Sequence, residues 1–377
     1  MMLKQLKGQC FRNYSCFDFS PSPTTTIVFG DNGSGKTSLL EAIYLLGSGK
    51  SFRTSRLQYL LANGSSDEFY LHAKFQIADT LHSAGMSRGK HAFTGLRLNG
   101  ESVSTLSAFA KLFPVHVFHS GSAELVYGSA EVRRRFLDWG LFHVEHDFHG
   151  LWKSLNKIVK QRNHLLKKEY VNPVEINVWD EQLVAISDKI TALRRTQIEH
   201  INTYLQQLCA DVWQEAPIKV TLAPGWAEGT DLSQGLKDAF EVDRQRGFTS
   251  RGAHRADIRL TVAGQAVKEV MSRGQIKTLS ILLGLAQLMY LVNNKALRTL
   301  ILVDDMSAEL DGHHMAYLVN TLSALRQQVI YTALSPQELP NELVESEGVK
   351  MFHVEQGVLK DCLQTKANHS EGNNDDR

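Results

Sequence analysis

The chain has 377 residues, 43% of them hydrophobic and 21% charged, which suits a globular protein and excludes a disordered, collagen-like or purely coiled-coil chain. Lys plus Arg number 41 against 40 Asp plus Glu, a net charge of +1. Any nucleic acid must therefore meet a local basic patch rather than a global charge.

The opening MMLKQLKGQCFRNY lacks the apolar core of a signal peptide. Four cysteines (Cys10, Cys16, Cys209, Cys362) form no C-x-x-C pair, which disfavours a disulfide framework or zinc site and fits a reducing cytoplasm. Residues 24–29 read as a β-branched strand, and 38–46 show helical spacing. Between them Gly30, Asp31, Asn32, Gly33, Ser34, Gly35, Lys36 and Thr37 match G-x-x-x-x-G-K-[ST] in full. Such a loop wraps phosphate in backbone N–H groups at a helix N-terminus. Lys36 is placed for the outer phosphates of ATP and Thr37 for Mg²⁺.

Residues 69–104 alternate, with Asn99-Gly100 as a hairpin signal, so an antiparallel sheet is predicted. Residues 133–213 turn helical. Leu151, Leu155, Ile158, Arg162 and Leu165 hold one apolar spacing, and Trp179, Leu183, Ile186, Ile190 and Leu193 another. Asn172-Pro173 separates them, which predicts an antiparallel helical pair. His143, His146 and His149 lack metal-site spacing and read as a surface helix.

Strands return at DIRLTV. The apolar run 278–292, interrupted by Gln287, is too short to span a membrane and reads as a buried core helix. QQVIYTAL reads as a buried strand, KMFHVEQGVLK as a closing hairpin and the polar tail ANHSEGNNDDR as disordered. TLILVDD is an apolar strand ending in two acids, a Walker B form that ordinary buried strands also show. In the Walker B reading Asp304 holds Mg²⁺ and Asp305 positions or deprotonates water, which makes Lys36, Asp304 and Asp305 the catalytic candidates. Ser272, Arg273, Gly274 and Gln275 precede the apolar helix as either an anion site or a simple cap. Asn294-Lys295-Ala296-Leu297 fails the guanine-reading motif, which disfavours a GTPase.

The order of these motifs resembles the ABC-type ATPases, whose L-S-G-G-Q signature matches 271–275 except at Met271 and Arg273. Residues 307–311 then look like the D-loop. Phe11-Arg12-Asn13-Tyr14, RRFLDW at 134–139, KQRN at 160–163, GAHRAD at 252–257, SRGQ and VDDMSAELD sharpen the likeness. Over residues 1–360 the chain resembles the RecF family, bacterial recombination mediators related to SMC and Rad50 heads.

The resemblance implies an α/β fold: an ABC-type P-loop ATPase head with a mixed sheet, an antiparallel β subdomain and a helical insertion lobe. The expected divisions are 1–134 and 246–362 for the two halves of the head, 135–245 for the lobe and 363–377 for the tail. It implies a weak ATPase, cytoplasmic, dimerising on ATP. Such a dimer binds double- and single-stranded DNA at gaps or junctions and acts with RecR and RecO to help load RecA, with links to replication and SOS induction. Each composite site would take residues 30–37, Asp304 and Asp305 from one copy and Ser272–Gln275 from the other.

A transporter subunit gives no reason for the helical lobe, and an SMC-type protein needs a far longer coiled coil. A small-molecule kinase has no use for Ser-Arg-Gly-Gln. Arg12 and Asn13 resemble nucleotide contacts, although Arg12 also reads as a surface arginine on a hairpin. Arg133, Arg134, Arg135, Arg162, Lys167 and Lys168 are candidate DNA contacts on the lobe, and Lys50, Arg53 and Arg56 on the head. Arg135 and Arg162 have a structural alternative, pairing with Asp138 or Asp180. Ala253 stands where the family has Pro, 118–121 reads Phe-His-Ser-Gly where it has Phe-x-Pro-Glu/Asp, and no switch histidine occurs near Thr332.

Overall fold

A computed structural model describes residues 1–62, 67–212 and 217–362 of the chain. It divides into two compact units, one built from residues 1–121 together with those from 298 on, the other from 122–297.

The first unit begins with a hairpin, β1 (Met2–Phe11) and β2 (Tyr14–Phe19), followed by β3 (Thr25–Phe29) and α1 (Lys36–Ser48). Then come β4 (Glu68–Ile77), β5 (Thr80–Gly89), β6 (Phe93–Leu98), β7 (Glu101–Ser102), α2 (Leu106–Leu112) and β8 (Val115–Phe118). The second unit holds α3 (Glu124–Tyr127), α4 (Ala130–Val144), α5 (Phe148–Leu166), α6 (Pro173–Val212), β9 (Ile218–Ala223) and α7 (Leu232–Arg246). It closes with β10 (Asp257–Val262), β11 (Gln265–Ala266), α8 (Val267–Val270) and α9 (Arg273–Lys295). The first unit resumes with β12 (Leu300–Val303), α10 (Gly312–Ala324), β13 (Gln328–Ala333), α11 (Asn341–Val344), β14 (Lys350–Glu355) and β15 (Val358–Asp361).

Two sheets make the first unit. One is antiparallel, in the order β2-β1-β4-β5-β6-β7. The other is mixed, β15-β14-β3-β13-β12-β8, with β14, β3, β13, β12 and β8 parallel and β15 antiparallel. Leu39, Leu40, Ile43 and Leu46 of α1 share a core with Val28, Leu302 and Ile330 of the mixed sheet. Tight turns sit where the sequence places them. Asn99 (φ 51°) with Gly100 (φ 86°) and Gln356 (φ 47°) with Gly357 (φ 77°) have the paired positive φ of two-residue hairpin loops.

In the second unit α5 packs on α6 through Leu155, Ile158, Leu183 and Ile190. Pro173 opens α6, where its missing N–H costs nothing. The apolar run expected at 278–292 extends to the 23 residues of α9, long and apolar enough to cross a membrane, but it is buried on most sides and packs against α6. The expected lobe, 135–245, lies inside this unit, which is larger at both ends. β9 pairs antiparallel with β10, and this draws residues 246–297 out of the expected head half and into the second unit. The histidine run is not one surface helix. His143 ends α4 between the rings of Trp139 and Phe142, where burial pushes its pKa down to about 4, His149 contacts Phe142 from α5, and His146 lies between the helices. The polar tail lies outside the described residues.

Candidate functional site

β3 runs into the glycine-rich loop and α1 leaves it, so strand, loop and helix follow one another as the motif requires. Gly30 (φ 148°) and Gly35 (φ 129°) adopt conformations closed to other residues. A Cβ on Gly30 would lie 2.2 Å from the Val354 carbonyl, and one on Gly35 2.8 Å from the Asn13 amide and the Tyr14 hydroxyl.

The Lys36 ammonium is folded back, donating to the carbonyls of Gly30 (2.7 Å) and Asp31 (3.2 Å). Outside the loop, the Ser34 carbonyl accepts from Asn13 Nδ2 (2.8 Å) and Gly357 N–H (2.8 Å), and the Gly35 carbonyl accepts from the Tyr14 hydroxyl (3.1 Å). The Ser34 hydroxyl is buried and has no hydrogen-bond partner among the described residues.

The acidic side of the site hangs from β12 and β13. Asp304 is buried at the end of β12, its N–H bonded to the Phe118 carbonyl of β8. Asp305 turns into the left-handed region (φ 47°), and its N–H donates to Thr332 Oγ1 (2.8 Å). That hydroxyl stands 3.0 Å from Asp304 Oδ1 and 3.2 Å from Asp305 Oδ1, so one proton is offered to two carboxylates. Burial first and the Asp305 charge second push the Asp304 pKa up to about 6; hydrogen bonds from Thr332 and Thr37 and the charge of Arg53 oppose that rise. Asp304 is thus desolvated beside a like charge, with the Thr37 hydroxyl bonded to it.

Thr37 and Asp305 face an open cavity of about 1530 Å³, lined among others by Asn13, Lys36, Arg53 and Tyr59. Arg12 also lines it, but its guanidinium clasps the buried Glu41 (2.8 and 2.7 Å) and the Tyr59 carbonyl (2.9 Å). Glu41 also accepts from Ser51 and lies 3.8 Å from Arg53. Arg53, expected as a DNA contact, thus faces the phosphate cavity.

Ser272–Gln275 belong to the second unit. Ser272 caps α9 in a reciprocal box: its hydroxyl accepts from Gln275 N–H (3.3 Å) and its N–H donates to Gln275 Oε1 (2.7 Å). The cap and the anion-site readings are compatible, because Ser272, Arg273 and Gly274 are exposed at the start of a long helix.

The predicted DNA contacts scatter. Arg162 is corrected outright: it is fully buried, with Nε 2.6 Å from Asp180 and Nη1 2.8 Å from Asp243, and cannot reach a phosphate backbone. Arg134 is half-buried and donates to the Ala256 carbonyl (2.7 Å). Arg135 is exposed, 3.8 Å from Glu131; Asp138, its expected partner, pairs with Arg194 instead. Arg133 forks onto Asp257 (2.6 and 3.0 Å). Lys167, Lys50 and Arg56 are exposed, and so is Lys168, which lies 3.6 Å from Glu175.

Sequence reasoning missed Thr332 and Glu41. Thr332 lies near the end of a strand recognised as buried, but it was searched only for a histidine. Glu41 follows Thr37 by one helical turn, and an acid inside an apolar helix was the available signal.

The family model for the RecF/RecN/SMC N-terminal domain matches residues 2–360. A protein named DNA replication and repair protein RecF, from Shewanella woodyi, is 36% identical over 359 residues, covering 95% of this chain and 98% of its own. One of the same name from Aliivibrio fischeri is 36% identical over 360 residues, covering 95% and 99%. Among solved structures, the recombination mediator protein RecF with ATP, of the RecFOR pathway, superposes with a TM-score of 0.84 at 22% identity, covering 96% of this chain and 97% of that one. An Smc head bound to the C-terminal winged-helix domain of ScpA gives 0.57 at 16%, covering 98% and 100%. These two show a shared fold. With the family model spanning nearly the whole chain and full-length relatives at this identity, the chain belongs to the RecF/RecN/SMC N-terminal domain family, on its RecF branch.

Proposed function

We propose that this chain binds ATP with Mg²⁺ in its first unit and uses it to control DNA binding, as a homodimer, in recombinational repair. The observation that carries the reading is one cavity lined by the phosphate-loop residues Asn32, Gly33, Gly35, Lys36 and Thr37 together with Asp305, with buried Asp304 behind it bonded to Thr37 and Thr332. The local chemistry fits the absent groups. A buried Ser34 hydroxyl without a partner among the described residues suits a phosphate oxygen, and two adjacent carboxylates, one of them desolvated, suit a divalent cation.

Lys36, Ser34 and the loop N–H groups would hold the outer phosphates, with Arg53 beside them. Thr37 and Asp304 would hold Mg²⁺, which when bound offsets the phosphate charge. Asp305 would orient water and take its proton. Asn13 and Tyr14 brace the loop from behind, and Arg12 braces α1 through Glu41. Replacing Asp305 by asparagine is therefore expected to leave ATP affinity near that of the unmodified chain while turnover falls by roughly 100-fold or more, the usual worth of a general base. Single-turnover hydrolysis beside equilibrium ATP binding checks this, and normal turnover would remove Asp305 from the role.

The exposed Ser272–Gly274 segment at the start of α9 supports sharing of each nucleotide between two copies. Lys36→Met and Ser272→Arg are each expected to be inactive alone. Mixed, they form heterodimers with one intact and one doubly damaged site, so some ATPase activity returns. A cross-link between Ser34→Cys on one copy and Ser272→Cys on the other, formed only with ATP, is the second readout. Its absence rejects sharing.

The names of the relatives support a setting in DNA replication and repair and, for the solved structure, in the RecFOR pathway; we extend this to a cytoplasmic protein that acts with RecR and RecO to help load RecA at single-strand gaps, with links to SOS induction. Turnover is slow, and ATP serves as a clamp. A titration of gapped, duplex and single-stranded DNA with and without ATP tests the whole reading. Equal binding in both conditions, or none, defeats it.

A further inference from the structure

α5 is charge-segregated. Its buried face is Leu155, Ile158, Arg162, Leu165 and Leu166. Successive helical residues are about 100° apart, so Lys153, Lys157, Lys160, His164 and Lys167 all fall within roughly 40° of one line directly opposite that face. All five are exposed, and Lys167 just beyond the last turn continues the line, its stem lying across Gly247. At 1.5 Å per residue the line is roughly 21 Å long. The helix contains no Asp or Glu.

Asp147, which precedes α5, and Glu169, two residues past Lys167, are exposed; several other carboxylates of the second unit are engaged by arginines. Asp180 and Asp243 are taken by Arg162, Asp138 by Arg194 and Asp257 by Arg133. Glu175, near the end of the line, pairs with Lys168. Among the described residues no carboxylate lies within 4.0 Å of the ammonium groups of Lys153, Lys157, Lys160 or Lys167. Solvated helix faces usually mix both signs. This one presents four unmatched cations in a row on a chain whose net charge is only +1.

We propose that the lysine line of α5, Lys153–Lys157–Lys160–Lys167, is a docking surface for the phosphate backbone of duplex DNA. The inference rests on the DNA-binding reading above and adds a place on the molecule to it. The chemistry favours a backbone over a base-reading partner. The line is made of ammonium groups rather than of guanidinium forks, so it offers point charges suited to sequence-independent contacts. Its steps of four, three and seven residues set the lysines about 6, 4.5 and 10.5 Å apart along the helix, a spread of point charges suited to a uniformly charged polymer. Arg162, the one arginine of the helix, faces the interior and sets which side of α5 is left outside.

The test uses the full chain with ATP and Mg²⁺ and a short DNA duplex, with affinity followed across a salt series. Lys153→Gln, Lys157→Gln, Lys160→Gln and Lys167→Gln are combined. The expected result is an affinity loss of about tenfold or more and a log–log salt slope shallower by about 3.6, because each of the four lost phosphate contacts removes about 0.9. ATP affinity and melting temperature should stay unchanged. Arginine at the same four positions should restore both affinity and slope.

If the unmodified chain binds DNA and the glutamine variant keeps its affinity and slope, the surface is overturned while the DNA reading stands. Weaker binding at an unchanged slope also overturns it, since the loss is then not of phosphate contacts. If the unmodified chain binds no DNA in any nucleotide state, the DNA reading falls and the surface with it.

Discussion

Replacing Lys36 by methionine is expected to weaken ATP–Mg²⁺ binding by at least about 100-fold and to abolish ATP-dependent DNA binding. Methionine fills the space of the lysine stem but carries no charge and no donor. The ammonium now donates to the carbonyls of Gly30 and Asp31. It is the one side-chain cation enclosed in the phosphate loop, and the phosphates of a bound nucleotide would draw its donors away from those carbonyls. Charge-assisted hydrogen bonds contribute about 1.5–3 kcal/mol each. Losing two costs about 3 kcal/mol or more, and each 1.4 kcal/mol is tenfold in affinity. Calorimetric titration reads this directly, alongside a melting curve because Lys36 is almost fully buried. A folded variant that binds ATP as the unmodified chain does would dismiss the loop as the nucleotide site.

Removing the Arg162 guanidinium is expected to produce the largest stability loss. Arg162→Ala strands two carboxylates that the second unit buries, Asp180 and the fully enclosed Asp243. Breaking a buried ion pair in this way costs about 3–5 kcal/mol, so the second unit should melt well below the first. Lysine should rescue little, since one ammonium cannot reproduce a fork that meets Asp180, Asp243 and the Thr249 hydroxyl together.

The loss should also depend on pH. Burial already raises the Asp180 pKa, with the arginine opposing it. Without Arg162 the folded-state pKa rises further above the unfolded value, so the folded variant binds the extra proton. The destabilisation is therefore full at neutral pH and shrinks as pH falls through the raised pKa. A deficit that stays constant with pH would mean that unpaired carboxylates are not its cause.

How much of this was legible in the sequence varied with how local the signal was. The phosphate loop is contiguous, and its strand and helix lie on either side, so eight residues sufficed. Asp304 and Asp305 were visible because an apolar strand ends on them. Thr332 was not, because it meets them across β12 and β13, whose pairing only the sheet order reveals. The first hairpin is legible only in the reading of Arg12 as a hairpin arginine; its strands are not, because β1 carries a register shift between Leu3 and Gln5 and a left-handed Cys10, which break the alternation that marks a strand. Arg162 was misjudged as a DNA candidate although its spacing with Leu155, Ile158 and Leu165 had already put it on the apolar face. The spacing outweighed the residue's charge.

The Ser34 carbonyl, held by Asn13 on one side and Gly357 on the other, has a consequence for how the molecule is made. β3 is flanked by β13 and β14, which are synthesised some three hundred residues later. A nascent chain emerging from the ribosome therefore carries the eight-residue loop, with Asn13 and Tyr14 already made, long before β13, β14 and Gly357 can complete its support. The whole second unit must be threaded out and folded in the interval, and closing so long a stretch delays the sheet further. Competence to hold a nucleotide arrives only once β13, β14 and Gly357 have been made, so a chain interrupted before them carries the motif without the grip.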